Sequence, residues 1–418
     1  MELVRGAGRQ LMSAVSDLLP QPVPEPEPQG PGRVLTVGDG DLSFSLDLLR
    51  EARRSTDQHL ELVATTLDSR EDLLRSYGEA IAVTIAELDQ EGKGHGDTAR
   101  VRSQCLHCVN ATALAETLGV AAGKQFDRID WLFPHTGQKK IQTNRELLRA
   151  FFDSARGQLS SGGVVRVALC AGQGGTPLEA PHRKYSDSWQ AVEQAASAGL
   201  VLTSVISFEE ELRSLPGYRS TGHRKTSRGF HTEGSLMHVF AQPAMRRGRP
   251  NSLYPPAYEH DITFWWPTAN LLPGADVEIG IETPLSHWLL RVLHDVAGAH
   301  CVESCVLLER WDPPVTAAER AHAAEEATGA QLRHPSSGPA AAAVSEPAAP
   351  ASEPETEPEP EPQPQPAPKL KFKVNPGHCS LSYRVTYRSR TSALSRAKAA
   401  SLQSEVRMQL GHMGVPIR

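Results

Sequence analysis

Val34-Leu35-Thr36-Val37-Gly38-Asp39-Gly40-Asp41-Leu42-Ser43-Phe44-Ser45 is the stretch that decides the fold. Four residues of β-forming character run into a glycine, a second glycine follows two positions on, and helical spacing begins behind them. Glycine accepts the backbone angles of a tight strand-to-helix turn and lets the main chain approach a ligand closely. A turn of this kind belongs to an open α/β sheet, in which ligands bind at the carboxyl ends of the strands.

Outward from this turn the pattern repeats. Apolar β-runs at Val34 to Val37, Leu60 to Thr66, Val101 to Val109, Phe126 to Phe133, Val164 to Cys170, Val201 to Phe208 and Leu236 to Ala241 alternate with other stretches. Of these, Leu42 to Arg53, Arg70 to Glu87, Thr143 to Leu159 and Ser188 to Ala198 have helical spacing. The alternation predicts a doubly wound α/β domain with a parallel sheet of six or seven strands. From Tyr254 onward the order is strand, helix, strand, a long insert, strand, helix and a short extended end, which without the insert reads as βαββαβ. The expected fold is therefore a Rossmann-like domain over residues 31–250, followed over 251–418 by an α+β ferredoxin-like domain. A flexible segment, 1–30, precedes them. The Ala/Glu/Pro-rich insert, 313–368, has too few apolar side chains to bury and is expected to be disordered.

The net charge of −6 over 418 residues conceals an uneven distribution. The insert carries nine acids against Arg320 and Arg333, whereas Lys369 to Arg418 holds ten basic residues and one acid, Glu405. That last segment would attract a polyanion. Six scattered cysteines, with no signal peptide and no long apolar span, fit a reducing compartment away from membranes. A cytoplasmic location is expected, with a nucleolar one also compatible; Glu2 and Asp17 disfavour a mitochondrial presequence. The oligomeric state is not encoded legibly.

Several motifs suggest chemistry. Asp39 and Asp41 disfavour a pyrophosphate at the glycine turn but would complement the ammonium and sulfonium of S-adenosylmethionine, with the helix start near Ser43 favouring its carboxylate. Asp68, after the second β-run, stands where an acid holds ribose hydroxyls in such folds. Trp131 to Gly137 ends the fourth run. There Phe133 and Pro134 would stack on a flat ring and His135 would take a proton, or the same residues simply form a turn. Cys105 and Cys108 have the spacing of a metal knuckle, but no second ligand pair follows, so no metal is expected. Gly172 to Pro177 reads either as an anion cradle or as a plain loop. Tyr218 to Phe230, with Arg224, Lys225 and Arg228, reads as a phosphate-tracking segment or a solvated loop. Tyr383, Arg384, Tyr387, Arg388 and Arg390 alternate along and just beyond a strand, so that arginines would face phosphate while the tyrosines pack or stack.

These motifs carry two resemblances. Arg33 to Gln242 resembles the large-subunit rRNA uridine-N3 methyltransferase family: Gly38 to Phe44 matches its Gly-[Glu/Asp]-Gly-Asp-Phe-Ser-Phe. Ala64 to Ser69, Val109 to Thr112 and Phe133-Pro134-His135 match further motifs. Asn110 departs from the usual acid of Val-Asp-Ala-Thr, and Leu132 from the Asn before Phe-Pro-His. Tyr254 to Arg418, without the insert, resembles the ferredoxin-fold anticodon-binding domain of phenylalanyl-tRNA synthetases, through His260 to Trp265, Ser382 to Arg388 and Gly414 to Arg418. The resemblances imply an S-adenosylmethionine-dependent RNA methyltransferase of the rRNA (uridine-N3) type. Gly38, Asp39, Gly40, Asp41, Ser43, Phe44, Asp68, Ser69 and Asn110 would hold the cofactor. Phe133 and Pro134 would flank a flipped base and His135 would deprotonate it. An rRNA or tRNA would lie on Tyr383, Arg384, Tyr387, Arg388 and Arg390. The alternative is a non-catalytic RNA-binding adaptor on a decayed methyltransferase fold. No stretch resembles a synthetase catalytic core.

Overall fold

The computed structural model describes residues 32–55, 59–90, 100–119, 121, 125–222, 229–243, 252–268, 284–313 and 377–418. The expectations for residues 1–31, for Arg224, Lys225 and Arg228, and for the insert beyond Pro313 lie outside them. The chain divides into two compact units. One comprises Met1–His260, His287–Cys305 and Val385–Gln409, and the other Asp261–Ser286, Val306–Arg384 and Leu410–Arg418. The larger sheet lies wholly in the first.

That sheet has seven strands: β1 (Arg33–Val37), β2 (Leu60–Thr65), β3 (Val101–Leu106), β4 (Phe126–Leu132), β5 (Leu159–Leu169), β6 (Val201–Ser207) and β7 (Leu236–Ala241). Their order is β3-β2-β1-β4-β5-β7-β6. Between them run α1 (Ser43–Arg54), α2 (Arg70–Tyr77), α3 (Glu79–Gln90), α4 (Leu114–Thr117), α5 (Ile141–Arg156), α6 (Ala191–Ser197) and α7 (Phe208–Leu212). β1 to β5 pair in parallel, but β7 is antiparallel to both β5 and β6. The expectation of an all-parallel sheet is corrected at this edge, where β7 enters between β5 and β6.

Alternation along β1 assigns the two faces. Leu35 and Val37 pack with Ile129, Trp131 and, from α5, Phe151 and Phe152, whereas Val34 packs with Leu49 of α1, Leu73 of α2 and Ile85 of α3. Both faces are covered by helices, so the parallel strands read as nearly continuous apolar runs. The single helix expected over Arg70 to Glu87 is two helices, because Gly78 between them has φ 66° and ψ −156°, a conformation open essentially to glycine alone.

The second sheet has the order β8-β10-β9, from β8 (Tyr258–Pro267), β9 (Val302–Trp311) and β10 (His378–Tyr387), with helices α8 (Pro284–Ala297) and α9 (Arg396–His412). The expected fourth strand is reduced to one antiparallel bridge, Phe264 to Ile417. The element order is the one expected of a ferredoxin-like domain, matched in this part. Among the described residues, no helix is long and apolar enough to cross a membrane.

Candidate active site

A cleft of about 370 Å³ opens where β1, β2 and β4 end. Gly38, at φ 60°, closes β1, and a Cβ built on it would stand 3.1 Å from Nε1 of Trp131. A Cβ on Gly40 would meet Thr221 Oγ1 at 2.5 Å and the Tyr77 hydroxyl at 3.3 Å. Both glycines keep the cleft open where its walls converge.

The two acids of the turn serve helix α1 first. Asp39 Oδ2 accepts from the Ser45 amide at 2.8 Å and its hydroxyl at 2.7 Å, and Asp41 Oδ1 accepts from the Ser43 amide at 3.1 Å. Carboxylates suit the exposed amides and positive dipole end of a helix start. Burial pushes the Asp39 carboxyl up to about 6, against its hydrogen bonds from Ser45. Asp41 also takes Arg219 Nε at 3.1 Å, so both its oxygens are engaged within the protein. The expectation that the pair faces a cationic ligand is corrected: Asp39 still lines the cleft, and Asp41 does not.

Gly38, Asp39, Gly40, Asp68, Asn110, Phe133, Pro134 and His135 are brought together in this cleft. Ser43, Phe44 and Ser69 are not. The Ser43 hydroxyl accepts from the Arg219 amide at 2.9 Å, Phe44 is buried edge-on against Tyr218, and Ser69 caps α2 by accepting from the Asp72 amide at 3.1 Å. Asn110 Oδ1 accepts from the amide and hydroxyl of Thr112 at 3.0 and 2.9 Å. That fixes its carboxamide, leaving the NH₂ as a donor where the related motif has an acceptor-only acid.

At the end of β4 the backbone of Phe133 has φ 49°, a left-handed conformation costly for a side-chain-bearing residue. Its ring meets Phe208 edge-on at 5.0 Å and stacks on Phe230 at 5.8 Å, inside an apolar cluster. The role expected for Phe133, flanking a flipped base, is corrected accordingly: aromatic neighbours already cover the ring. His135 is half-buried, and its Nδ1 accepts from the Gly137 amide at 2.7 Å. An amide N–H requires a lone pair on Nδ1, which places the neutral ring's proton on Nε2. His135 therefore enters the cleft as a hydrogen-bond donor, not as the expected base. Asn144 of α5 steadies this loop by accepting from the Thr136 amide and hydroxyl.

Tyr218, Arg219, Thr221, Gly222 and Phe230 form the outer wall. Ser220 joins both ends of this segment by accepting from the Phe230 amide at 2.7 Å, and the Tyr77 hydroxyl bonds to Thr221. Burial raises the hydroxyl pKa of Tyr77 and of Tyr218. Of the lining residues, Tyr77 had no sequence signal, while Trp131 and Thr221 lie in the stretches Trp131 to Gly137 and Tyr218 to Phe230 without having been singled out within them. The Gly172 amide donates to the buried Glu179 at 2.7 Å, so the anion at that loop is the protein's own. Burial pushes the Cys105 thiol up to about 12, which keeps it protonated.

In the C-terminal region Tyr383 and Tyr387 are fully buried: one ring stacks on Phe264 and the other hydroxyl donates to Gln403 at 2.8 Å. Packing is thus what these tyrosines do, and stacking on a base is not open to them. Arg384 pairs with Asp261 and Arg388 with Glu303, each at 2.9 Å, while Arg390 is exposed.

Residues 35–222 match a family model, BMT5-like, described as rRNA (uridine-N3-)-methyltransferase BTM5-like. The chain is similar to human "Ferredoxin-fold anticodon-binding domain-containing protein 1" (37% identity over 51% of this chain and 31% of that protein) and to its mouse homolog (38% identity, 51% and 31%). The match thus spans about a third of the length of these curated relatives. Among solved structures, a 30S ribosomal A1408 methyltransferase from an uncultured bacterium is similar at 14% identity and TM-score 0.30, covering 50% of this chain and 86% of that one. The N-terminal half of this chain, from β1 to the outer wall of the cleft, is thus the part that matches the rRNA (uridine-N3-)-methyltransferase family.

Proposed function

We propose that the protein is an S-adenosylmethionine-dependent RNA methyltransferase acting on a ring nitrogen of a base, with uridine N3 in rRNA as the target the family match favours. The observation that carries this reading is the convergence, in one cleft, of the open Gly38–Gly40 turn, Asp68 after β2, and Pro134 with His135 after β4. A volume of about 370 Å³ falls within the range of small-molecule sites. The cradle at Gly38 and Gly40, which a Cβ would fill, fits a cofactor lying against the backbone. Asp68 would accept from ribose hydroxyls and the Asn110 NH₂ would donate to the adenine edge. When bound, the sulfonium supplies an electrophilic methyl group, so the protein's task is mainly alignment.

The Nε2–H of His135 would donate to a carbonyl of the target base and stabilise the imide anion, whose N3 proton would pass to bulk water before the methyl group arrives. Leu132 offers only an apolar wall there. The C-terminal region would hold rRNA or tRNA through Arg390 and its neighbours. A second reading, RNA binding without methyl transfer, draws support from the covered Phe133 ring and from Leu132.

The test is calorimetric titration of S-adenosylmethionine into the full chain, followed by transfer of labelled methyl groups to total RNA. Micromolar binding that Asp68→Ala weakens, together with labelled RNA, supports methyl transfer. Binding without labelling favours the adaptor, and no binding by folded protein ends the cofactor reading.

A further inference from the structure

We infer that Trp131 is a ligand-positioning residue whose indole Nε1–H receives the carboxylate at the amino-acid end of the cofactor; this rests on the cofactor reading above. The indole is 8% exposed and lines the cleft. Its Nε1 lies 3.1 Å from the point a Gly38 Cβ would occupy, so a side chain at 38 would crowd the indole nitrogen, and glycine leaves that space clear. Among the described residues it has no hydrogen-bond partner. A largely buried tryptophan N–H normally finds one, and a donor left open in a concave site marks where an acceptor is to come.

The ring cannot readily turn away. It packs on Phe151 of α5 at 4.5 Å between centroids, within the apolar core of that face. A donor held in place by packing loses little freedom when it binds.

Strand order identifies the end of the ligand it meets. β2 and β4 flank β1 on opposite sides, with Val37 of β1 in register with Trp131. Asp68 follows β2 and Asn110 follows β3, so a nucleoside with its ribose at Asp68 and its base at Asn110 directs its 5′ substituent across Gly38 toward β4. In S-adenosylmethionine that substituent ends in an ammonium and a carboxylate, and an N–H donor can serve only the carboxylate. Among the described residues that line the cleft the one Lys or Arg, Arg219, is engaged with Asp41.

The test compares two stable ligands, S-adenosylhomocysteine, which has the amino-acid end, and 5′-methylthioadenosine, which lacks it. Trp131→Phe in the full chain keeps the ring and removes the donor. Its affinity for the first should fall about tenfold or more, as for a lost hydrogen bond to a charged group, and its affinity for the second should stay unchanged. Equal weakening for both ligands, or none for either, overturns the inference. A measurement on the unmutated protein guards against a variant that fails to fold. In ¹⁵N-labelled wild type, the indole N–H resonance that Trp131→Phe removes, or that stepwise assignment gives, should shift on adding S-adenosylhomocysteine and not on adding 5′-methylthioadenosine. Binding by calorimetry with no such shift refutes the role of Trp131 while leaving the cofactor reading intact. Failure of the wild type to bind S-adenosylhomocysteine removes both.

Discussion

Gly40 is the position where one added carbon tells most. Alanine there would put Cβ 2.5 Å from Thr221 Oγ1, a contact that must be relieved by moving the outer wall. Gly40→Ala should weaken S-adenosylmethionine binding, by an overpacking cost of about 1–3 kcal/mol, and adding Thr221→Ala should restore much of it. Calorimetry on the single and double variants checks this. Asp39 makes a second prediction. Its folded pKa, about 6, lies above the ordinary 3.8, so the folded state holds a proton that the unfolded state has released between those values. The stability this confers is complete below pH 4 and disappears as pH rises through 6, on the order of 3 kcal/mol at most. Urea unfolding should show wild type losing more stability than Asp39→Asn between pH 4 and 7; parallel curves would refute it. Gly38, Gly40, Asp68, Pro134 and His135 were legible in the sequence because tight turns and strand ends demand particular residue types. Tyr77 was not, and Trp131 and Thr221 were visible only as members of longer stretches, because nothing local records which side chains distant segments bring together. The tautomer of His135 depends on an amide two residues on and was likewise invisible.

Elements carry the next level of specification. Helix α1 holds the outer wall through Ser43, whose hydroxyl accepts from the Arg219 amide, and through Asp47, which accepts from the Gly217 amide. Ser43→Ala should release that segment: hydrogen exchange at Arg219 should accelerate by roughly fivefold, the equivalent of about 1 kcal/mol, while β1 amides keep their protection. Uniform acceleration across the sheet would show global destabilisation instead. The seven strands of the larger sheet were read from apolar runs bounded by polar turns, except that β5 starts at Leu159, five residues before the run at Val164, because Ser160 to Gly163 carry no apolar signal. The direction of β7 was not, because a strand's own residues are the same whether its neighbours run with it or against it. The break at Gly78 was overlooked for a related reason: Arg70 to Glu87 keeps helical spacing across a glycine that tertiary packing then uses as a corner. On β10 the alternation was legible, but it does not say which face turns inward, and Tyr383 and Tyr387 went to the core.

For the whole molecule, charge was the guide to a partner, with a basic end on an acidic chain. The structure refines it, since Arg384 and Arg388 are held in cross-strand ion pairs and Arg390 is exposed. Arg390→Ala should weaken RNA binding uniformly across sequences and reduce the slope of log affinity against log salt by about 0.7–0.9, as for one lost phosphate contact. Binding measured at several salt concentrations decides it, and an unchanged slope would exclude Arg390. The second sheet has a consequence of another kind. β9 and β10 are neighbours, yet the chain between Trp311 and His378 is long, and a loop's closure cost rises by only about 0.6 kcal/mol per doubling. Lengthening that link therefore costs the pairing of these strands little, whereas cutting it would make their association depend on concentration. The link can thus accept extra sequence at almost no thermodynamic penalty while still tethering the two strands, so insertions there should change stability far less than insertions of the same length in the tight turn at Gly38.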